Sequence, residues 1–178
     1  MKVTTYLMVL LISLSMTTLF AGDKQTDFSG EWVFNESKST LDEMGTRFLQ
    51  KKMILTQSGN DLTVQKVYPG QYEDEEFVAE EKLTLDGKEC KSEFWNSPRT
   101  TTAAFSVKGD TLKIASTMLF ERDGDEMEVN TKEQWSIKEE GKILLVKHVS
   151  SSDWGVRDIT MIFDKKEAAK PAEEKAAK

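Results

Sequence analysis

Apolar residues fall on every second position along Phe28-Ser29-Gly30-Glu31-Trp32-Val33-Phe34-Asn35, and the same period of two returns in short runs as far as residue 163. Successive side chains of a strand point to opposite faces, so a chain patterned this way folds into half-buried strands. Phe28, Gly30, Trp32 and Phe34 share one face of the first run, which is therefore assigned to a core. Further runs span 53–57, 62–68, 77–85, 101–107, 112–120, 129–137, 143–149 and 155–163, with a short strand at 90–95 stopped by Asn96-Ser97-Pro98. Between them stand Ser58-Gly59-Asn60-Asp61, Asp86-Gly87, Lys108-Gly109-Asp110, Asp123-Gly124-Asp125 and Glu139-Glu140-Gly141, whose glycine and asparagine suit the backbone of tight hairpins. About nine strands joined by short turns define an all-β single domain, an antiparallel up-and-down β-barrel or sandwich. Only the segment 41–49 breaks the pattern: Leu41, Met44, Phe48 and Leu49 are spaced for a short helix or for a lid over one barrel end.

The first 21 residues carry Lys2, an apolar run from Tyr6 to Phe20 and a small residue, Ala21, in the arrangement of a secretory signal peptide. The run is too short and too rich in Ser and Thr for a membrane helix, and Asp23 and Lys24 stand where a lipoprotein would need a cysteine. Cleavage after Ala21 is expected, leaving a barrel domain over 22–164 and a Lys/Glu/Ala tail over 165–178 that lacks the apolar residues needed to offset its ordering entropy. The expected address is the periplasm or the extracellular space. Removing 1–21 takes one basic and no acidic residue from a chain of net charge −7, which leaves −8. Such a surface repels phosphate backbones, so no nucleic-acid partner is expected. The single cysteine, Cys90, excludes an internal disulfide, so stability must come from the core.

Gly30-Glu31-Trp32 resembles the Gly-x-Trp signature of lipocalins. The likeness continues through Asn35, Ser37-Lys38-Ser39, Gln57-Ser58-Gly59-Asn60-Asp61-Leu62-Thr63-Val64, Leu85-Asp86-Gly87-Lys88-Glu89 and Glu133-Gln134-Trp135-Ser136, segments similar to those of small exported bacterial lipocalin-like proteins of calycin type. It covers Phe28 to Asp164. The resemblance implies a lipocalin-like barrel of eight to ten strands and a small apolar or amphipathic molecule bound inside it. Two departures stand out. In lipocalins a basic residue near the end of the last strand packs over the first-strand tryptophan; only Lys165 or Lys166 is placed for this here, Arg157 being at the wrong end. The lipocalin disulfide is missing.

Four tryptophans offer the largest apolar surfaces. Trp32, with Gly30 leaving room beside its indole, and Trp135 are mid-strand core residues; Trp95 and Trp154 lie beside turns and are candidates for a ligand-pocket rim. Glu81, Glu133 and Arg157 fall on inward positions, where they would pair or bind a polar group, unless a bulge turns them to solvent. The acidic groups at 73–76 and around Asp123 and Asp125 do not match a calcium loop, and no metal or cofactor is expected. His148 is the only histidine and Cys90 the only cysteine, and no nucleophile elbow or phosphate loop occurs, so the chain reads as a non-enzymatic monomer. A binding barrel for a small lipophilic ligand is the favoured reading, and an envelope or scaffold protein with a filled barrel the alternative.

Overall fold

The computed structural model describes residues 25–70, 72, 75–122 and 124–167. The expected leader and most of the tail lie outside the described residues. Ten strands follow one another: β1 (Gly30–Phe34), β2 (Lys52–Ser58), β3 (Asp61–Pro69), β4 (Glu76–Thr84), β5 (Asp86–Phe94), β6 (Ser97–Phe105), β7 (Thr111–Arg122), β8 (Asp125–Lys138), β9 (Ile143–Ser152) and β10 (Gly155–Lys165). They form one antiparallel sheet in the order β4-β3-β2-β1-β10-β9-β8-β7-β6-β5. Sequential strands pair antiparallel except β4 with β5, and β1 closes the meander against β10, which makes an up-and-down barrel. No helix among the described residues is long and apolar enough to cross a membrane.

The strand beyond the expected nine is β5, which runs from Asp86 rather than from Cys90. Its turn into β6 is made by Trp95 and Asn96, both left-handed at φ 50° and 61°. A two-residue turn of this hand matches the twist of the flanking strands. It leaves Ser97 and Pro98 inside β6, where Pro98 lies opposite Glu93 instead of stopping the strand. Proline is tolerated there because the β6–β7 ladder begins only at Arg99, opposite Met118, so the second residue of β6 can forgo its donor. Segment 41–49 folds as successive turns across one end of the barrel, without helix; left-handed Gly45 and Phe48, at φ 57° and 65°, interrupt any helical run.

At the other end Trp32 is 1% exposed. Its indole Nε1 donates to the carbonyl of Phe28 at 2.9 Å. It lies opposite Lys165 across the β1–β10 ladder, and the Lys165 ammonium sits 5.1 Å from its ring centroid. A cation over an indole face is attracted by the ring quadrupole. Of the two cations placed for this role, Lys165 takes it, while Lys166 pairs with Glu31 at 3.0 Å. A Cβ on Gly30 would come within 2.8 Å of the Lys165 stem, so the missing side chain is what admits the lysine beside the indole. Above this seal Phe28 packs against Phe105 and Trp135, with ring centroids 6.1 and 6.2 Å apart. Phe163, Met161, Leu144, Val146, Leu112 and Leu62 belong to the same buried cluster.

The sheet's two margins, β4 and β5, are neighbours in sequence, yet among the described residues no backbone ladder joins them. Side chains lace the seam. Ser92 Oγ on β5 donates to Glu81 Oε1 on β4 at 3.2 Å, Thr101 Oγ1 on β6 donates to the same oxygen, and the Thr84 amide donates to Cys90 Sγ at 3.3 Å.

Truncating a fully buried tryptophan leaves a cavity, whereas an exposed one near a turn contributes little packing. Trp32→Ala is expected to lower stability by about 3–5 kcal/mol and Trp154→Ala by about 0.5 or less, compared by urea melts. Equal midpoints would show that the seal under Lys165 does not hold the barrel closed.

Candidate functional site: a half-hollow barrel with a charged floor

The inward side chains change character along each strand. On β3 they run Leu62, Val64, Lys66, Tyr68; on β9, Leu144, Val146, His148, Ser150; on β8, from Trp135 through Glu133 and Thr131 to Val129. Register aligns these changes, since Glu133 lies opposite His148 and His148 opposite Ile159. The half nearer Trp32 is packed solid. The other half holds a cavity of about 470 Å³ whose walls include Tyr68, Phe94, Met118, Phe120, Val129 and Met161, a volume in the range of small-molecule sites.

Glu133 forms the floor of this cavity. It is 5% exposed, and all its bonds are to inward side chains: Trp135 Nε1 donates at 2.9 Å, His148 Nδ1 lies at 3.0 Å and Lys66 Nζ lies 3.4 and 3.5 Å from the two oxygens. Burial by itself would raise its pKa. The charge of Lys66, the hydrogen bond and charge of His148 and the charge of Arg99 outweigh that, and the carboxyl is held well below the usual carboxylate range. An ionised carboxylate only accepts, so His148 donates through Nδ1. Above the floor, burial first and the Glu133 charge next push the Tyr68 hydroxyl above its ordinary pKa, which keeps it a neutral phenol.

The mouth is aromatic. Trp95 packs on Phe94 at 4.6 Å, Tyr68 at 6.0 Å, Phe48 at 6.3 Å and Phe77 at 6.3 Å between ring centroids. A bulky residue held at positive φ is an uncommon conformation that surrounding contacts must fix, and this stack supplies them. Arg157 anchors the 41–49 lid. Its Nε and Nη2 donate to the Asp42 carboxylate at 2.9 and 3.1 Å, and further bonds reach the carbonyls of Gly45 at 2.8 Å and Arg47 at 3.1 Å.

Four of the five candidate ligand residues line this cavity: Trp95 and Trp154 at the mouth, Glu133 on the floor and Arg157 beneath the lid. Trp154 is 73% exposed at the β9–β10 turn. Glu81 faces inward but is engaged in the β4–β5 seam, where Arg99 Nε lies 3.6 Å away, and is not part of the cavity wall. Gly30 and Trp32 lie in the sealed end. Lys66, Tyr68, Arg99 and His148 were not among the candidates. Lys66 and His148 each continue an inward apolar series by one step of two, which is a readable signal; Arg99 lies in the part of β6 taken for a turn. Cys90 and His148 belong to different places, the seam and the floor.

No family model matches the chain, and no curated protein matches it by sequence. Among solved structures it is similar to zebrafish ileal bile acid-binding protein complexed with cholic acid, with a TM-score of 0.52 and 17% identity, over 78% of this chain and 98% of that one. The likeness is one of fold, and it defines the class: an all-β, antiparallel, calycin-like barrel of ten strands that is nearly closed.

Replacing Glu133 leaves Lys66 buried without its counter-ion, and breaking such a pair is strongly destabilising. Glu133→Gln is expected to lose about 3–5 kcal/mol at neutral pH. The folded pKa is depressed, so the stability this carboxylate contributes is present above the unfolded value of 4.5 and lost as pH falls below it. Urea midpoints of wild type and variant should therefore converge in acid; a gap that persists there would contradict an ionised floor. At the lid, Arg157→Gln removes four bonds to 42–47, and hydrogen exchange there should quicken by about tenfold or more while β8 and β9 stay protected. Unchanged exchange would show that the lid is held by other contacts.

Proposed function

We propose that the chain is an exported, non-enzymatic binding protein whose barrel takes up a small amphipathic molecule. The observation that carries this reading is the cavity of about 470 Å³, apolar and aromatic on its walls and mouth and polar on its floor. That combination suits a ligand with an apolar body and one polar end. A wholly filled barrel, the scaffold alternative, is disfavoured by the same volume. The zebrafish protein of similar fold is complexed with cholic acid, itself amphipathic, which is consistent with the use of such a barrel for ligand. The leader-like first 21 residues support export to the periplasm or beyond.

Nile red, a neutral dye that brightens in apolar surroundings, tests the cavity. It should bind one molecule per chain, and Ser150→Trp, which projects an indole into the hollow half, should weaken binding by about tenfold or more. The urea midpoint of the variant reports whether the barrel survives the substitution. Dye binding that is unaffected in a folded Ser150→Trp protein would place the dye elsewhere and sink the reading.

A further inference from the structure

The charged groups that open on the cavity with hydrogens unspent are donors, and they stand beside the neutral side chains of Gln50, Thr131, Ser150 and Ser152. Arg99 uses Nε toward Thr101 Oγ1 at 3.3 Å and Glu81, while its Nη1 and Nη2 make no hydrogen bond to a described residue. Lys66 bonds only Glu133, at 3.4 and 3.5 Å. The Tyr68 hydroxyl and His148 Nε2 have no bond to a described residue either. Among the described residues, every fully enclosed side-chain nitrogen and oxygen has a partner, so these unpartnered atoms reach open volume. All four residues line the same cavity. Glu133, the one carboxylate of the floor, already accepts from Trp135, His148 and Lys66. The acceptors that remain are neutral, the Gln50 amide oxygen and the hydroxyls of Thr131 and Ser150, whereas guanidinium, ammonium and phenol hydrogens await an acceptor.

Charge balance adds a second constraint. Lys66 and Arg99 are offset by Glu133 and Glu81, and Arg157 by Asp42 at the lid; these, with Tyr68, are the charged and titratable groups set around His148 from β3, β4, β6, β8, β10 and the lid. With His148 neutral the site carries no net charge. An anion entering it would leave one buried negative charge unmatched, which is costly. His148 is the remaining side chain of the site that can hold a further proton, on the ring nitrogen not bonded to Glu133. Its Nδ1 is tied to Glu133, so a proton it gains goes to Nε2, converting an acceptor that faces the cavity into another donor.

Resting on the binding reading above, we infer that the occupant is an organic anion, a carboxylate or sulfonate on an apolar body, held by Arg99, Lys66 and Tyr68, and that it enters with one proton taken up at His148 Nε2. Three probes with one alkyl chain, dodecanoate, dodecanol and dodecylamine, test the first half by displacing Nile red. Dodecanoate should compete at concentrations about tenfold or more below those of dodecanol, with dodecylamine weakest. Calorimetry of dodecanoate binding at about pH 7, in phosphate and in Tris, tests the second half, because the two buffers differ in ionisation enthalpy. The difference should report about one proton taken up by wild type and none by His148→Gln, which keeps a donor toward Glu133. Correspondingly, the affinity of wild type should fall as pH rises, by up to about tenfold per unit, and that of the variant should not. If Nile red itself fails to bind, the binding reading falls. If it binds and dodecanoate competes no better than dodecanol, or not at all, the anion inference falls while that reading stands. Absence of proton uptake in wild type, or its persistence in His148→Gln, overturns the role given to the histidine.

Discussion

The first and last strands meet over a short ladder, and everything enclosed by the barrel depends on that joint. Three residue pairs join β1 to β10, with Trp32 opposite Lys165 and Phe34 opposite Phe163. So few rungs would be a weak closure in water. The ladder is reinforced from inside by an indole that is buried, hydrogen-bonded through Nε1 and capped by a cation, and from outside by Asp164, which accepts from Asn35 at 2.5 Å and from Lys38 at 2.8 Å. The closed end therefore needs no disulfide, and the single cysteine is left free in the distant seam.

A solid lower half allows the upper half to be hollow. Large apolar side chains from β2, β7, β9 and β10 fill the space above Trp32, and the stability they supply lets the barrel carry buried charges one layer higher. Those charges balance, with Lys66 against Glu133 and Arg99 against Glu81. An arrangement of this kind contributes little stability compared with an apolar layer of equal volume. Its consequence is chemical: the floor of the hollow presents fixed donors instead of hydrocarbon.

Much of the architecture was legible because a barrel writes itself into sequence as alternation. The strands and the glycine turns follow from period two and from turn chemistry, and the Gly30-Glu31-Trp32 signature pointed to the same fold. The full extent of β5 was hidden, with only a short strand from Cys90 visible, because it is half-polar and ends in a turn built on Trp95, a residue type that rarely takes positive φ. The site was legible only in part. Glu133 and Arg157 stand on inward positions in sequence, but Lys66 and His148 reach Glu133 from other strands and Asp42 reaches Arg157 from the lid. Register alone brings Lys66 of β3 and His148 of β9 to one carboxylate, and a single chain does not display the distance between strands far apart in order. Glu81 misled for the same reason: inward pointing was right, yet the sheet's open margin claimed the residue.

The open margin gives the wall a mechanical asymmetry. Every other joint between neighbouring strands is a backbone ladder, and each such joint resists spreading through a row of bonds that can only break together. Between β4 and β5 the tie is a few side chains gathered on Glu81 and Cys90, groups that can exchange partners singly. Hoop strain from an oversized guest would therefore concentrate along this one line and be relieved there, while the charged floor kept its geometry. A barrel built in this way has a fixed base and an adjustable girth.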